Sequence, residues 1–327
     1  DLLAGELPPN VRVTSFYYSP GWALDSSLAQ REHTSTNYTH VIRGVVEAGV
    51  NCLCQMVATP PEGEEEAALR ELGRPGRDHP ARSPGNTARP RGIPLSLSSN
   101  PDLTLDLLPH LLAMRERGEP VALLAQVNRS LPFMYGDAVV DRGLFDVVVD
   151  DRALDHTLFA PPSQPVPAAD WSLGLNASAL IPDGGTIQLG IGALGDAVSR
   201  LLLVRHGENA RYRELLDASG LLDRHGDVVE RLGGTDPFDE GLYGASEMLM
   251  QGLLELLKGG VLARPAEDGR HLHACFFLGP GDFYEDLRAL PAGERRRISM
   301  TRIGEVNELF GDEARKRRER RRARFLN

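Results

Sequence analysis

Two glycine-rich turns in the second half of the chain hold the residues best suited to chemistry. The first runs from Asp183-Gly184-Gly185 through Gln188-Leu189-Gly190-Ile191-Gly192 to Gly195-Asp196, and Gly190, Gly192 and Gly195 match G-x-G-x-x-G letter for letter. Glycine lets the backbone approach a ligand closely, and the unbonded N–H groups at a helix start favour an anion. A dinucleotide-binding turn and a tight packing turn without a ligand both account for this pattern. The dinucleotide reading also needs an acidic residue at the end of the next strand, about 20 residues on. The segment found there, Arg205–Leu222, is charged and helix-like.

The second turn, Gly241-Leu242-Tyr243-Gly244-Ala245-Ser246-Glu247, leads into a strongly apolar stretch. Its spacing predicts a helix over Ser246–Leu257, with Ser246 as cap and Glu247 in the first turn, where the macrodipole favours an acid. Helix capping alone explains such a glutamate. A functional reading gains weight from its company, because both turns would lie at the carboxyl ends of strands in one domain and face a common cleft. A carboxylate with an ordinary pKa of about 4.3 is ionised at neutral pH and available as a nucleophile.

Other chemically suggestive residues have plainer explanations. Leu203–Glu208 contains Arg205-His206-Gly207 and resembles the phosphate-binding signature of histidine phosphatases, but the helix predicted over Asp196–Val204 runs straight into it. His271 and His273 share a strand face without a third metal ligand at useful spacing, so burial beside Phe276 and Phe277 accounts for them. Cys52 and Cys54 point to one side of a strand and read as small core residues. Met248 and Met250 read as part of the helix core. The only lysines are Lys258 and Lys316, and neither stands in a Gly-Lys-Ser/Thr context, which excludes a Walker-type phosphate loop and makes Schiff-base chemistry improbable.

The elements that must position these turns alternate between strand and helix. Residues 11–18 and 121–128 read as strands, as do a run ending near Val57, another near Leu95, and Phe145–Val149. Helical spacing covers Leu28–Arg43 and Leu103–Arg117. Pro60–Arg91 is rich in Pro, Gly, Arg and Glu without periodicity and reads as a mobile insertion, spanning about residues 60–92. The Pro-rich passage Phe159–Pro167 marks a domain boundary, giving domains over 1–168 and 169–327. Beyond it, Thr186–Leu189 and Leu272–Phe277 read as strands around the helix Asp196–Val204. The fold class is therefore α/β, with an open parallel sheet in each half.

Composition bounds the remaining possibilities. A chain of 327 residues with 41% hydrophobic and 25% charged content is an ordinary globular protein of about two domains. Its net charge of -10 argues against nucleic acid or an anionic membrane as partner. The basic stretch Asp312–Arg324 reads as a solvated helix. Three cysteines are too few for a disulfide framework, and no apolar run approaches the roughly 20 residues that span a bilayer. The expected setting is the cytoplasm, and no metal is expected.

Taken together, Ile187-Gln188-Leu189-Gly190-Ile191-Gly192, Gly244-Ala245-Ser246-Glu247-Met248 and Cys275-Phe276-Phe277-Leu278-Gly279 resemble the acetyl-CoA hydrolase/CoA-transferase family, of the class I type. Ser98-Ser99-Asn100-Pro101-Asp102-Leu103-Thr104, Gln126-Val127-Asn128, Leu131-Pro132 and Gly136-Asp137 fit the same family, so ordered motifs from both halves agree. The resemblance implies two similar open α/β domains with the active site between them. It implies that Glu247 attacks an acyl-CoA thioester and passes through a glutamyl-CoA thioester, resolved by a second carboxylate or by water. It assigns Gln188, Leu189, Gly190, Ile191 and Gly192 to coenzyme A contact. Coenzyme A is then a substrate and no cofactor is permanently bound. The partners are an acyl-CoA and a small carboxylate, with assembly into a homo-oligomer left open. Family members also begin earlier and continue beyond Asn327, so both domains are expected to lack elements here.

The residues suit this chemistry on their own terms. Carboxylates are established covalent catalysts of acyl transfer. Backbone N–H groups at Gly190 and Gly192 could stabilise an oxyanion. The amides of Gln126 and Asn128 are further candidates for polarising the carbonyl, although strand-end amides also satisfy local backbone. A nicotinamide-dependent oxidoreductase built on Gly190–Gly195 and a non-catalytic CoA-binding module are the alternatives.

Overall fold

A computed structural model describes residues 7–18, 21, 23–74, 92–158, 160, 165–302, 304 and 306. The chain packs as two compact units, residues 1–51 and 52–327. The described residues of the first form two short helices, α1 (Ser27–Arg31) and α2 (Val41–Glu47). Ser26 caps α1 by accepting from the Ala29 N–H at 3.2 Å. The single helix expected over Leu28–Arg43 is interrupted because Asn37 accepts from the Thr39 N–H and starts a separate 3-10 turn at Tyr38–His40. The strand expected over 11–18 is reduced to one bridge, Ser15 to His33.

The second unit is built on two parallel sheets. One contains β1 (Cys52–Val57), β3 (Ala122–Val127) and β5 (Val147–Val149) in that order, with β1 and β5 at its edges. A two-residue antiparallel pair, β2 (Leu95–Ser96) with β4 (Val139–Val140), lies beside it in sequence. The other sheet orders β6 (Thr186–Ile187), β7 (Tyr243–Leu249), β8 (Leu272–Phe277) and β9 (Ile298–Met300), all parallel. These sheets fall on either side of residue 168, and the fold is α/β.

The helices between strands are α3 (Glu65–Leu72), α4 (Pro101–Glu116), α5 (Ala168–Ala179), α6 (Ala193–Gly207), α7 (Asn209–Ser219), α8 (Leu221–Leu232), α9 (Gln251–Lys258), α10 (Gly281–Ala289) and α11 (Ala292–Arg295). Helices α5 to α8 share a core of Leu175, Ala179, Leu201, Val204, Tyr212, Leu216, Leu221 and Val229. Removing such side chains from water is the main favourable contribution to holding these helices together.

Two sequence expectations need correction here. Pro60–Arg91 is not featureless, because α3 forms within it and buries Ala67, Ala68 and Glu71. Its helical pattern was obscured by the surrounding acidic run, and residues 75–91 lie outside the described set. The helix expected over Ser246–Leu257 is instead a strand, β7, followed by α9. β7 is buried along almost its whole length, so it lacks the polar alternation that betrays a half-exposed strand, and its apolar run merges with that of α9. The helix expected over 312–324 and most of the boundary passage Phe159–Pro167 lie outside the described residues.

Candidate active site

Strand β7 positions Glu247. Side chains alternate faces along a strand, so Tyr243, Ala245 and Glu247 share one face and Gly244, Ser246 and Met248 the other. Tyr243 and Ala245 pack with Cys275 of β8 in one buried cluster, which sets the half-buried Glu247 on the Cys275 side. Pairing between β7 and β8 joins Ser246 to Ala274 and Met248 to Phe276 but skips Glu247 and Cys275. Glu247 is thus a strand residue, not a first-turn helix residue, and the macrodipole has no part in its placement.

Ser246 likewise caps no helix; Met250 precedes α9. The buried Ser246 hydroxyl stands 3.2 Å from the Leu189 carbonyl and 2.9 Å from that of Met248, and can donate to either. Pairing of β6 with β7 ends at Ile187 and Gly244, and the hydroxyl bridges the two chain segments just beyond.

The glycine loop runs as its sequence suggested, from β6 into α6. Leu189 is buried, whereas Gln188, Gly190, Ile191 and Gly192 are exposed. Gly192 has φ +118°, a conformation that side chains disfavour, and it starts α6 without a side-chain cap. Gly195 lies so close to the Gly190 carbonyl that a Cβ there would collide with it. The loop therefore depends on glycine at two of the three motif positions for identifiable reasons. Asp196, in the first turn of α6, is pushed above the ordinary carboxylate range by burial and by Glu255.

Asp183 anchors the turn that precedes β6. Its carboxylate accepts from the N–H groups of Gly184, Asp239, Glu240 and Gly241, at 2.9 to 3.0 Å. Burial works against its ionisation, but the four bonds outweigh that and hold its pKa below the usual value. The same bonds fix the entry to β7.

Helix α4 approaches the face that carries Glu247. The Phe277 N–H at the end of β8 donates to the Ser99 carbonyl at 3.0 Å, placing the start of α4 over the carboxyl end of that strand. The turn before α4 contains Ser98 at φ +54°, and its hydroxyl donates to the Pro132 carbonyl at 2.6 Å. Burial pushes the Cys275 thiol well up, and the carboxylates of Asp102, Glu247 and Asp106 add to it. Asp102 is only 1% exposed. Burial also raises Asp106, against the opposing influence of Arg302. Sequence reading named Asp102 only as part of a motif and passed over Asp106; the available signal was two aspartates four residues apart among the leucines of α4.

Gln126 and Asn128 stand at the end of β3, in the other sheet. The Gln126 amide donates to the Leu154 carbonyl at 3.0 Å, and that of Asn128 to the His156 carbonyl at 3.1 Å. The Asn128 Oδ1 also accepts from the Ser130 N–H. Both amides therefore tie the strand end to residues 154–156.

Two ion pairs, the first of them buried, tie α3 and its N-cap Glu64 to segments that lead into the second sheet. Arg270 pairs with Glu71, both at most 5% exposed, and Arg295 contacts both Glu64 carboxylate oxygens, at 2.6 and 2.8 Å. His273 lies between the Tyr243 hydroxyl at 2.8 Å and the Asp268 carboxylate at 3.1 Å. Burial opposes ionisation of Asp268, yet its bond to His273 and the nearby cations bring its pKa down to about 2. His206 lies within α6. Among the described residues no group of three or more His, Cys, Asp or Glu is arranged to hold a metal ion. No helix among them is long and apolar enough to cross a membrane.

No family profile matches the chain. It is 28% identical over 175 residues to a 4-hydroxybutyrate coenzyme A transferase of Clostridium kluyveri, covering 53% of this chain and 32% of that protein. The chain thus spans about a third of the length of that relative. RipA from Yersinia pestis is similar in structure, with TM-score 0.55 and 19% identity over 90% of this chain and 53% of that one. A 4-hydroxybutyrate CoA-transferase from Porphyromonas gingivalis has TM-score 0.50 and 15% identity over 90% of this chain and 56% of its own. At such identities the two solved structures speak to the fold.

Proposed function

We propose that this chain belongs to the CoA-transferase/acetyl-CoA hydrolase family, to whose members it is similar, and is part of an enzyme that transfers coenzyme A between an acyl-CoA and a carboxylate with Glu247 as nucleophile. The observation that carries this reading is the bond of Ser246 to Leu189, which ties the strand bearing Glu247 to the exposed glycine loop.

In the proposed reaction a Glu247 carboxylate oxygen attacks the thioester carbonyl. The C–S bond breaks, leaving an acyl-glutamyl anhydride and the coenzyme A thiolate. The thiolate attacks the glutamyl carbonyl, releases the acyl group as a carboxylate and leaves a glutamyl-CoA thioester. A second carboxylate reverses these steps and departs as the new acyl-CoA; water in its place gives net hydrolysis. Backbone N–H groups of Gly190 and Gly192 would receive the oxyanion, and residues 188–192 would hold coenzyme A. Gln126, half-buried, is better available for substrate than Asn128, which is fully enclosed. The N-terminal half, to residue 168, would supply the opposing domain.

The oxidoreductase alternative loses support from the order of elements. Three helices, α6 to α8, separate the glycine loop from the next strand, so no acidic strand end follows at dinucleotide spacing. Incubation with an acyl-CoA followed by borohydride or hydroxylamine, with peptide mass spectrometry, tests the proposal. Modification at Glu247 supports it; turnover with an unmodified Glu247 peptide rejects it in favour of another nucleophile, and acyl-CoA binding without turnover or modification rejects it in favour of the CoA-binding module.

A further inference from the structure

The motif Cys52-Leu53-Cys54, expected in the core, has the opposite placement. Among the described residues β1 is an edge of its sheet, and both cysteines are exposed while Leu53 between them is half-buried. Residues two apart on a strand project to the same side, with Cα atoms separated by about 6.6 Å. No other chemistry described above uses them.

We propose that Cys52 and Cys54 form a dithiol site for soft, thiophilic compounds of the trivalent arsenical class, separate from the candidate active site. Extended-strand spacing lies near the upper limit of about 6.8 Å for disulfide-linked Cα atoms. A direct S–S bond would therefore form only at the strained end of disulfide geometry, on a strand whose pairing sets Cys52 opposite Ala122 and Cys54 opposite Leu124. A single arsenic atom inserted between the sulfurs spans the gap with less strain. In the reaction an organoarsenic(III) oxide exchanges its bonds to oxygen for two As–S bonds, and the two thiol protons leave with that oxygen as water. No oxidation state changes. Cys275 provides an internal contrast, because it is fully buried on β8 with its thiol pKa raised.

The probe is phenylarsine oxide, added to the reduced, folded protein and followed by intact-mass measurement. One equivalent should remain bound in excess 2-mercaptoethanol and leave on addition of 2,3-dimercaptopropanol. Cys52→Ser and Cys54→Ser should each weaken retention about a hundredfold, as expected when a two-point attachment becomes single. Cys275→Ser should retain the adduct. Retention that survives Cys54→Ser, or no monothiol-resistant adduct on the unaltered protein, overturns the site. The measurement requires no acyl-CoA and stands apart from the role of Glu247.

Discussion

The Ser246 hydroxyl reaches the Leu189 carbonyl across 3.2 Å, just past the point where β6 and β7 cease to pair. A residue read from sequence as a helix cap instead joins the strand of the proposed nucleophile to the loop proposed to bind coenzyme A. The hydroxyl is fully enclosed, so this contact is not shared with bulk water.

Ser246→Ala should leave the Leu189 carbonyl without this partner and lower stability by about 1–2 kcal/mol, measured by urea denaturation. If the bond also sets the loop, formation of the acyl-enzyme should slow by more than the stability loss explains. A variant with unchanged stability and unchanged rate would show that the bond does neither.

Glu247→Gln should reduce transfer by about a thousandfold or more, because an amide cannot serve as the carboxylate nucleophile. Stability should change little, since the substitution preserves shape at a half-buried position and no helix dipole is involved. Stopped-flow thiol release and thermal unfolding read the two effects separately. Substantial turnover by a pure, folded variant would remove Glu247 from the mechanism.

Much of the α/β pattern was readable because β3, α6 and β8 are bounded by turns and carry clear apolar runs. The glycine loop was readable for the same reason, its chemistry being local. Glu247 stands out as a candidate from its neighbours in sequence, yet its element differs from the expected helix because β7 is a central, buried strand whose small residues merge into an apolar helix. The role of α3 was hidden because Glu64 and Glu71 find their partners at Arg295 and Arg270, far along the chain. The exposure of Cys52 and Cys54 follows from strand order, which sequence alone does not provide. The acids of α4 around Cys275 are likewise a product of tertiary packing.

Asp268 should contribute to acid sensitivity. Its folded pKa of about 2 lies below the unfolded value of about 3.9. The carboxylate therefore stabilises the fold above about pH 4, and that contribution fades as pH falls toward 2. Asp268→Asn should lower stability at neutral pH and flatten the stability profile between about pH 4 and 2. Denaturation midpoints measured across that range check the sign; an unchanged slope would separate Asp268 from the acid response.

The buried Arg270–Glu71 pair should behave asymmetrically when dismantled. Glu71→Ala leaves the Arg270 guanidinium enclosed beside the Arg296 carbonyl, to which it also donates, without its carboxylate. Loss of one member of such a pair costs about 3–5 kcal/mol, largely through the uncompensated charge. Replacing both as Glu71→Met with Arg270→Leu removes the charge along with its partner and should recover part of that loss. A double-mutant cycle by denaturant unfolding gives the coupling directly. Because the pair connects α3 to the start of β8, Glu71→Ala should also loosen protection of the Leu272–Phe277 amides in hydrogen exchange more than protection of the Ala122–Val127 amides. Equal loosening of both strands would mean that the pair stabilises the unit as a whole and does not act as a local fastening between α3 and the sheet that carries Glu247.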